Sequence, residues 1–237
     1  VSAVRSRADV VREIEATGVV AVIRLAEADR LRAVAEALLE GGVRALEVTM
    51  TVPRAAALIE ELAASVPDAA IVGAGTVLDA ETARQVVLAG ARFVVSPVFR
   101  PEIVALGHRY DVAVMPGCLT PTEILSAWEA GADIVKVFPA TALGPGYVKD
   151  IRGPLPQVRV MPTGGVTRDN AGEWIRAGAV AIGVGTALVD RQAVAERRYE
   201  AIAAAARHFV EAVRLARSAA PAGARPAARA PRGGEPE

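Results

Sequence analysis

The sequence predicts a (β/α)8 (TIM) barrel, with an N-terminal helix before it and a disordered C-terminal tail behind it. Three observations carry this. Short apolar runs alternate with helix-like segments along most of the 237 residues, and there are eight such runs. Each run is almost continuously apolar, as strands covered on both faces are, whereas half-exposed strands alternate. Polar and glycine-rich residues gather at the ends of the runs, where a parallel barrel keeps its active site. A doubly wound open sheet is the alternative that the alternation leaves.

The first segment, VSAVRSRADVVREIEATG, reads as an amphipathic helix ending at Thr17-Gly18 and lacks the apolar block of a signal peptide. The strand runs follow: GVVAVIR (18–24), RALEVT (44–49), AAIVGAG (69–75), RFVVSP (92–97), VAVMPG (112–117), DIVKVF (133–138), VRVMPTGG (158–165) and AVAIGVG (179–185). Between them lie helical patterns such as DRLRAVAEALLEGG, PRAAALIEELAASV, DAETARQVVLAGA and TPTEILSAWEAGA. Several open on Asp, Thr or Pro and close on Gly, the residues that cap helices. The junctions LEGGVRALE, VLAGARFVV, WEAGADIVK and IRAGAVAIG share a small-Gly-x-x pattern, which predicts one turn geometry repeated before successive strands. One barrel domain is therefore expected over 1–217. The stretch 218–237, rich in Ala, Pro, Gly and Arg without apolar periodicity, is expected to be a disordered tail.

Bulk properties narrow the function. A net charge of zero predicts no nucleic-acid surface, and no apolar run of membrane-spanning length is present. A single cysteine, Cys118, excludes an intrachain disulfide framework and a multi-cysteine metal site, and fits a soluble cytoplasmic protein. His108 and His208 lie in helical segments without metal-ligand spacing, Cys118 reads as a small buried thiol, and Trp128 and Trp174 as packing residues. GAGTV lacks the full dinucleotide fingerprint. No metal and no cofactor are expected.

One residue stands out against this background. Of the 27 basic residues only Lys136 and Lys149 are lysines, and Lys136 lies inside an apolar strand. An amine, unlike a guanidinium, can lose its proton when desolvated and attack a carbonyl. Glu47, between Leu46 and Val48, points to the opposite face from those two. The pair reads either as a structural ion pair or as a nucleophile with a proton-transfer partner. PTGGV (162–166) and GVGT (183–186), after strands seven and eight, fall where this fold binds phosphate.

The motifs GGVRALEVTMT, VGAGTVLD, FVVSP, MPGCLTPTE, VKVFPA, PTGGV and GVGTALV, in this order and at strand ends, resemble the 2-keto-3-deoxy-6-phosphogluconate (KDPG) aldolases. Some of these also act as 4-hydroxy-2-oxoglutarate (KHG) aldolases. The resemblance spans about residues 10–210. It implies a metal-free, Schiff-base (class I) lyase of barrel fold, commonly a homotrimer, acting on a phosphorylated 2-keto acid in the Entner–Doudoroff route. Residue by residue, it implies Lys136 as the Schiff-base lysine and Glu47 as the general acid/base. Thr76 would hold the pyruvate part, with Arg24, Pro97 and Phe138 lining the pocket. Gly164, Gly165, Gly185 and Thr186 would bind phosphate. Where some relatives place an arginine after the glutamate, this chain has Thr51, leaving Arg24 to supply positive charge for the pyruvate carboxylate. Rival readings are an aldolase for the 6-phosphogalactonate epimer, a phosphate-binding barrel isomerase or epimerase, and a non-catalytic barrel used as a sensor or assembly subunit.

Overall fold

The computed structural model describes residues 5–219. Helices and strands alternate throughout: α1 (Arg7–Thr17), β1 (Val19–Ile23), α2 (Ala28–Glu40), β2 (Ala45–Thr49), α3 (Ala55–Ser65), β3 (Ile71–Gly75), α4 (Ala80–Leu88), β4 (Phe93–Val95), α5 (Pro101–Arg109) and β5 (Ala113–Met115). Then come β6 (Gly117–Cys118), α6 (Pro121–Glu129), β7 (Val135–Val137), a 3-10 turn (Ala140–Ala142), α7 (Gly144–Arg152), β8 (Val160–Pro162), α8 (Ala171–Arg176), β9 (Ile182–Val184), α9 (Arg191–Ala195) and α10 (Tyr199–Ser218). Every strand pairing is parallel, in two curled sheets ordered β5-β4-β3-β2-β1-β9 and β6-β7-β8.

All eight expected strands are present, but the fifth is divided. Pro116 has no N–H to donate, so the run 112–117 cannot keep one ladder along its length. Before it, Met115 accepts from Ser96 N–H at 3.3 Å on the β4 side; at it, the Pro116 carbonyl accepts from Lys136 N–H at 2.9 Å on the β7 side. The two pairings overlap, because the Val114 carbonyl already accepts from Asp133 N–H at 3.1 Å on the β7 side. At the opposite seam β8 and β9 meet through a bridge between Thr163 and Gly183 and a 3.0 Å bond from Val180 N–H to the Val160 carbonyl.

The strands sort their side chains with period two. Val20, Ala45, Ile71, Phe93, Ala113, Ile134, Met161 and Ala181 form one cluster on the concave side, capped by Val10, Val11 and Ile14 of α1. Their neighbours Ala21, Leu46, Val72, Val94, Val114, Val135, Val160 and Ile182 belong instead to the larger core beneath the helices. The register Val20↔Ala45↔Ile71 places these three concave residues in one row.

The repeated junctions behave as one geometry. Gly42, Gly90, Gly131 and Gly178 have φ of +91°, +99°, +106° and +109°, a region that side chains with a Cβ enter only with strain. Asp79 and Thr120 cap α4 and α6 with their side chains, and Glu123 completes a capping box at Thr120. The expected Asp29 start of α2 is corrected: Ala28 opens that helix, with Glu27 before it making no side-chain cap. α10 runs through Ser218, one residue into the segment expected to be a tail, and 220–237 lie outside the described residues. Its inner stripe packs on α2 so closely that Gly41 has no room for a β-carbon beside Ala206.

Candidate active site

At the C-terminal ends of the strands the concave face changes from apolar to polar. Glu47 stands opposite Val22 on β1 and Gly73 on β3, and Lys136 stands between Gly117 on β6 and Met161 on β8. Both share the parity of the concave layer, so both point into the sheet's interior. Lys136 is 5% exposed and Glu47 1%. Room for the carboxylate comes from glycine: Gly75, one residue pair further along β3, presses on Glu47 so tightly that a β-carbon there would overlap Oε1. Glu47 Oε2 has no hydrogen-bond partner, and neither does Thr163 Oγ1, at a residue only 7% exposed.

Burial sets the titration of the pair. Desolvation pushes the Glu47 carboxyl up, against the opposing pull of Lys136 and Arg24. The same desolvation pushes the Lys136 ammonium down from its ordinary 10.5, Glu47 pulls it back up, and Arg24 lowers it further. Burial thus eases proton loss from Lys136 and proton uptake by Glu47. Phe138, in the turn that follows β7, lies with its ring centroid 4.7 Å from Lys136 Nζ.

Beside this pair opens a cavity of about 160 Å³. Of the residues expected at the site, Arg24, Phe138, Gly164, Gly165, Gly185 and Thr186 line it. Gly164 and Gly165 turn with φ of +89° and +73° over Thr141, and Asn170 braces the loop by donating from Nδ2 to the Gly165 carbonyl at 2.9 Å. A β-carbon on Gly185 would lie 3.4 Å from Arg24 Nη1, so the guanidinium sits against the loop after β9. Lys136 and Glu47 lie outside this wall; Phe138 connects the two regions.

The remaining expected residues lie outside the cavity. Thr51 is exposed and shares a 2.8 Å hydroxyl contact with the fully buried Thr49. Thr76 makes the turn out of β3 with φ of +58°, and the half-buried Pro97 places its carbonyl where Gly117 leaves no space for a β-carbon. Thr163 was missed as a site residue, although it lies inside the quoted PTGGV. Its signal was there: a hydroxyl residue with the inner parity of Met161 and Gly165. Cys118 reads as expected, with burial pushing its thiol up to about 12 and Sγ donating to the Glu123 carbonyl at 3.4 Å. Among the described residues no cluster of metal-ligating side chains occurs.

A curled parallel α/β sheet with a buried lysine and carboxyl at its C-terminal mouth suits a carbonyl-attacking lyase, and comparison with known proteins names the group. A family model described as "KDPG and KHG aldolase" matches residues 10–205. The chain belongs to the KDPG/KHG aldolase family, a family of class I aldolases. It is 36% identical over 203 residues to a 2-dehydro-3-deoxy-phosphogluconate aldolase of Treponema pallidum, covering 84% of this chain and 95% of that one. It is 34% identical over 195 residues to a 2-dehydro-3-deoxy-6-phosphogalactonate aldolase of Escherichia coli, covering 82% and 95%. Among solved structures, a KDPG aldolase of Legionella pneumophila, with pyruvate captured as a covalent carbinolamine, superposes with a TM-score of 0.78 at 32% identity, covering 84% of this chain and 97% of that one. The protein is accordingly a lyase of the aldolase type.

The contact between Gly75 and Glu47 generates a test. Gly75→Ala is expected to cost about 1–3 kcal/mol through overpacking, read as a lower urea midpoint. Combining it with Glu47→Ala restores most of that loss, because the carboxyl that the new methyl group meets is gone. Additive losses in the double variant would refute the contact.

Proposed function

We propose that the protein cleaves 2-keto-3-deoxy-6-phosphogluconate to pyruvate and D-glyceraldehyde 3-phosphate, and 4-hydroxy-2-oxoglutarate to pyruvate and glyoxylate, as a cytoplasmic enzyme of the Entner–Doudoroff route. The observation that carries this is a lysine buried beside a carboxyl with a free oxygen, next to a cavity floored by two glycine loops. In this reading the two sheets are one eight-stranded barrel, closed at the Pro116 seam and at the Thr163–Gly183 bridge.

The neutral Lys136 amine attacks the C2 ketone. Its lone pair forms the N–C2 bond, the carbonyl oxygen takes a proton, and the carbinolamine loses water to leave a protonated imine. Glu47, directly or through water, removes the proton of the C4 hydroxyl. The C3–C4 electrons then flow into the iminium, the aldehyde leaves, and a neutral enamine remains. Glu47 returns the proton to C3, and water hydrolyses the imine to free pyruvate. Gly164, Gly165, Gly185 and Thr186 hold the phosphate, with backbone N–H groups available to its oxygens. Binding energy remote from the breaking bond thus orients it. Arg24 adds positive charge for the substrate's anionic groups, Thr76 and Pro97 border the pyruvate end, and Thr51 keeps the β2 rim in place through Thr49.

The 6-phosphogalactonate epimer is the second reading. It rests on the E. coli phosphogalactonate aldolase, which this chain matches at 34% identity over 195 residues, beside 36% over 203 residues for the phosphogluconate enzyme. A homotrimer is the proposed assembly. Leu78, Val98 and Leu119, all exposed, lie on three successive loops at the active-site end and offer an apolar surface to a second copy.

Incubation with pyruvate and borohydride is expected to add a pyruvate-derived mass to Lys136, and cleavage assays on both epimers are expected to favour phosphogluconate. No adduct would refute the lysine's role, and preference for the galactonate would select the second reading. The rate of pyruvate trapping should rise with pH to a half-point below 10.5, since burial lowers the amine. Glu47→Gln removes the carboxylate that raises Lys136 and should move that half-point lower still; an upward move would contradict the coupling. Light scattering is expected to report three chains per particle, and a monomer would exclude the assembly.

A further inference from the structure

Lys136 lies on β7 and Phe138 in the turn directly after it. The Phe138 main chain is pinned by donation from its N–H to the Cys118 carbonyl at 3.0 Å. Its ring folds back over the amine, with 4.7 Å between Nζ and the centroid, inside the range over which an aromatic face attracts a cation. The other charged groups acting on this nitrogen are Glu47 on β2 and Arg24 beyond β1. Cys118, on the neighbouring β6, points away and bonds to the Glu123 carbonyl. One carboxyl and one repelling guanidinium are a thin electrostatic shell for a cation held at 5% exposure.

We propose that the π face of Phe138 is part of the catalytic machinery: it holds the positive charge on the Lys136 nitrogen and stabilises the protonated imine against the neutral amine and carbinolamine. This rests on the Schiff-base reading above and adds to it a role for the ring beyond lining the pocket. When the carbinolamine expels water, the nitrogen lone pair becomes the second C–N bond and the charge appears on nitrogen, facing the ring. When the C3–C4 bond breaks, its electrons cancel that charge, and the neutral enamine gains nothing from the ring. The ring therefore favours loading of the enzyme with keto acid over the cleavage step. Its loss should appear in KM, and kcat should not fall.

The test replaces Phe138 in the full-length protein with mono-, di- and trifluorophenylalanine, which keep the ring's shape while draining its negative face. Phe138→Leu serves as the apolar endpoint without a π face. Measured above the half-point of amine titration, the pyruvate concentration for half-maximal cyanoborohydride trapping should rise about tenfold across the series, in steps that follow the ring's weakening attraction for cations. KM for cleavage should rise in parallel, with kcat undiminished and melting temperatures unchanged among the fluorinated variants. A flat series in a protein whose Lys136 is trapped normally would overturn this inference alone, as would a loss confined to kcat. Absence of any adduct in the unsubstituted protein would overturn the Schiff-base reading and this inference with it.

Discussion

The structure is organised around one expensive placement, an ammonium group inside a sheet whose interior is otherwise apolar. A lone cation there would be neutral or hydrated. Lys136 is neither fully desolvated nor unaccompanied, because Glu47 reaches across the same interior and Phe138 covers it from above. That arrangement works only if the neighbouring strands vacate space. Gly75 does so for the carboxyl from its place on β3, Gly73 makes room for the Phe93 ring, and Gly183 on β9 makes room for Thr163, each sitting where a β-carbon would collide with a side chain. The glycines inside these strands are therefore part of how the polar layer fits, although they weaken the strands that contain them.

The same accommodation explains the sheet's interruption. Pro116 costs the ladder one donor, while its carbonyl accepts from Lys136 N–H and so fixes Lys136 beside the seam. The lower layer, filled by Val20, Ile71, Phe93, Met115 and Ile134 and capped by α1, is a solid floor. Above it lies the polar layer that the glycines and the seam make possible. Stability and chemistry are thus stacked along the strands, one layer apart.

The cavity separates two tasks in space. In the proposed function its glycine loops take the substrate's distal phosphate, while the Lys136 nitrogen lies beyond its wall, linked to it by Phe138. A substrate long enough to touch both ends is held in register with the nucleophile. A truncated one loses orientation as well as affinity.

Much of this was legible in the residues. Alternation of apolar runs with capped helices showed the parallel α/β architecture, because hydrophobic period and cap chemistry are local properties. The rarity of lysine marked Lys136, the flanking apolar pair gave Glu47 its face, and the glycine runs marked the loops after β8 and β9. Three things depended on tertiary structure. The division of the fifth strand followed from which neighbour each half could pair with. The place of Thr163 on the cavity wall followed from its bridge to Gly183 on a distant strand. The lowered proton affinity of Lys136, and the ring placed over it, followed from burial and from partners drawn from other parts of the chain. Composition and periodicity act through nearest neighbours and so determine elements and faces. Depth, register and electrostatic coupling are sums over residues far apart in sequence, and those only the folded chain decides.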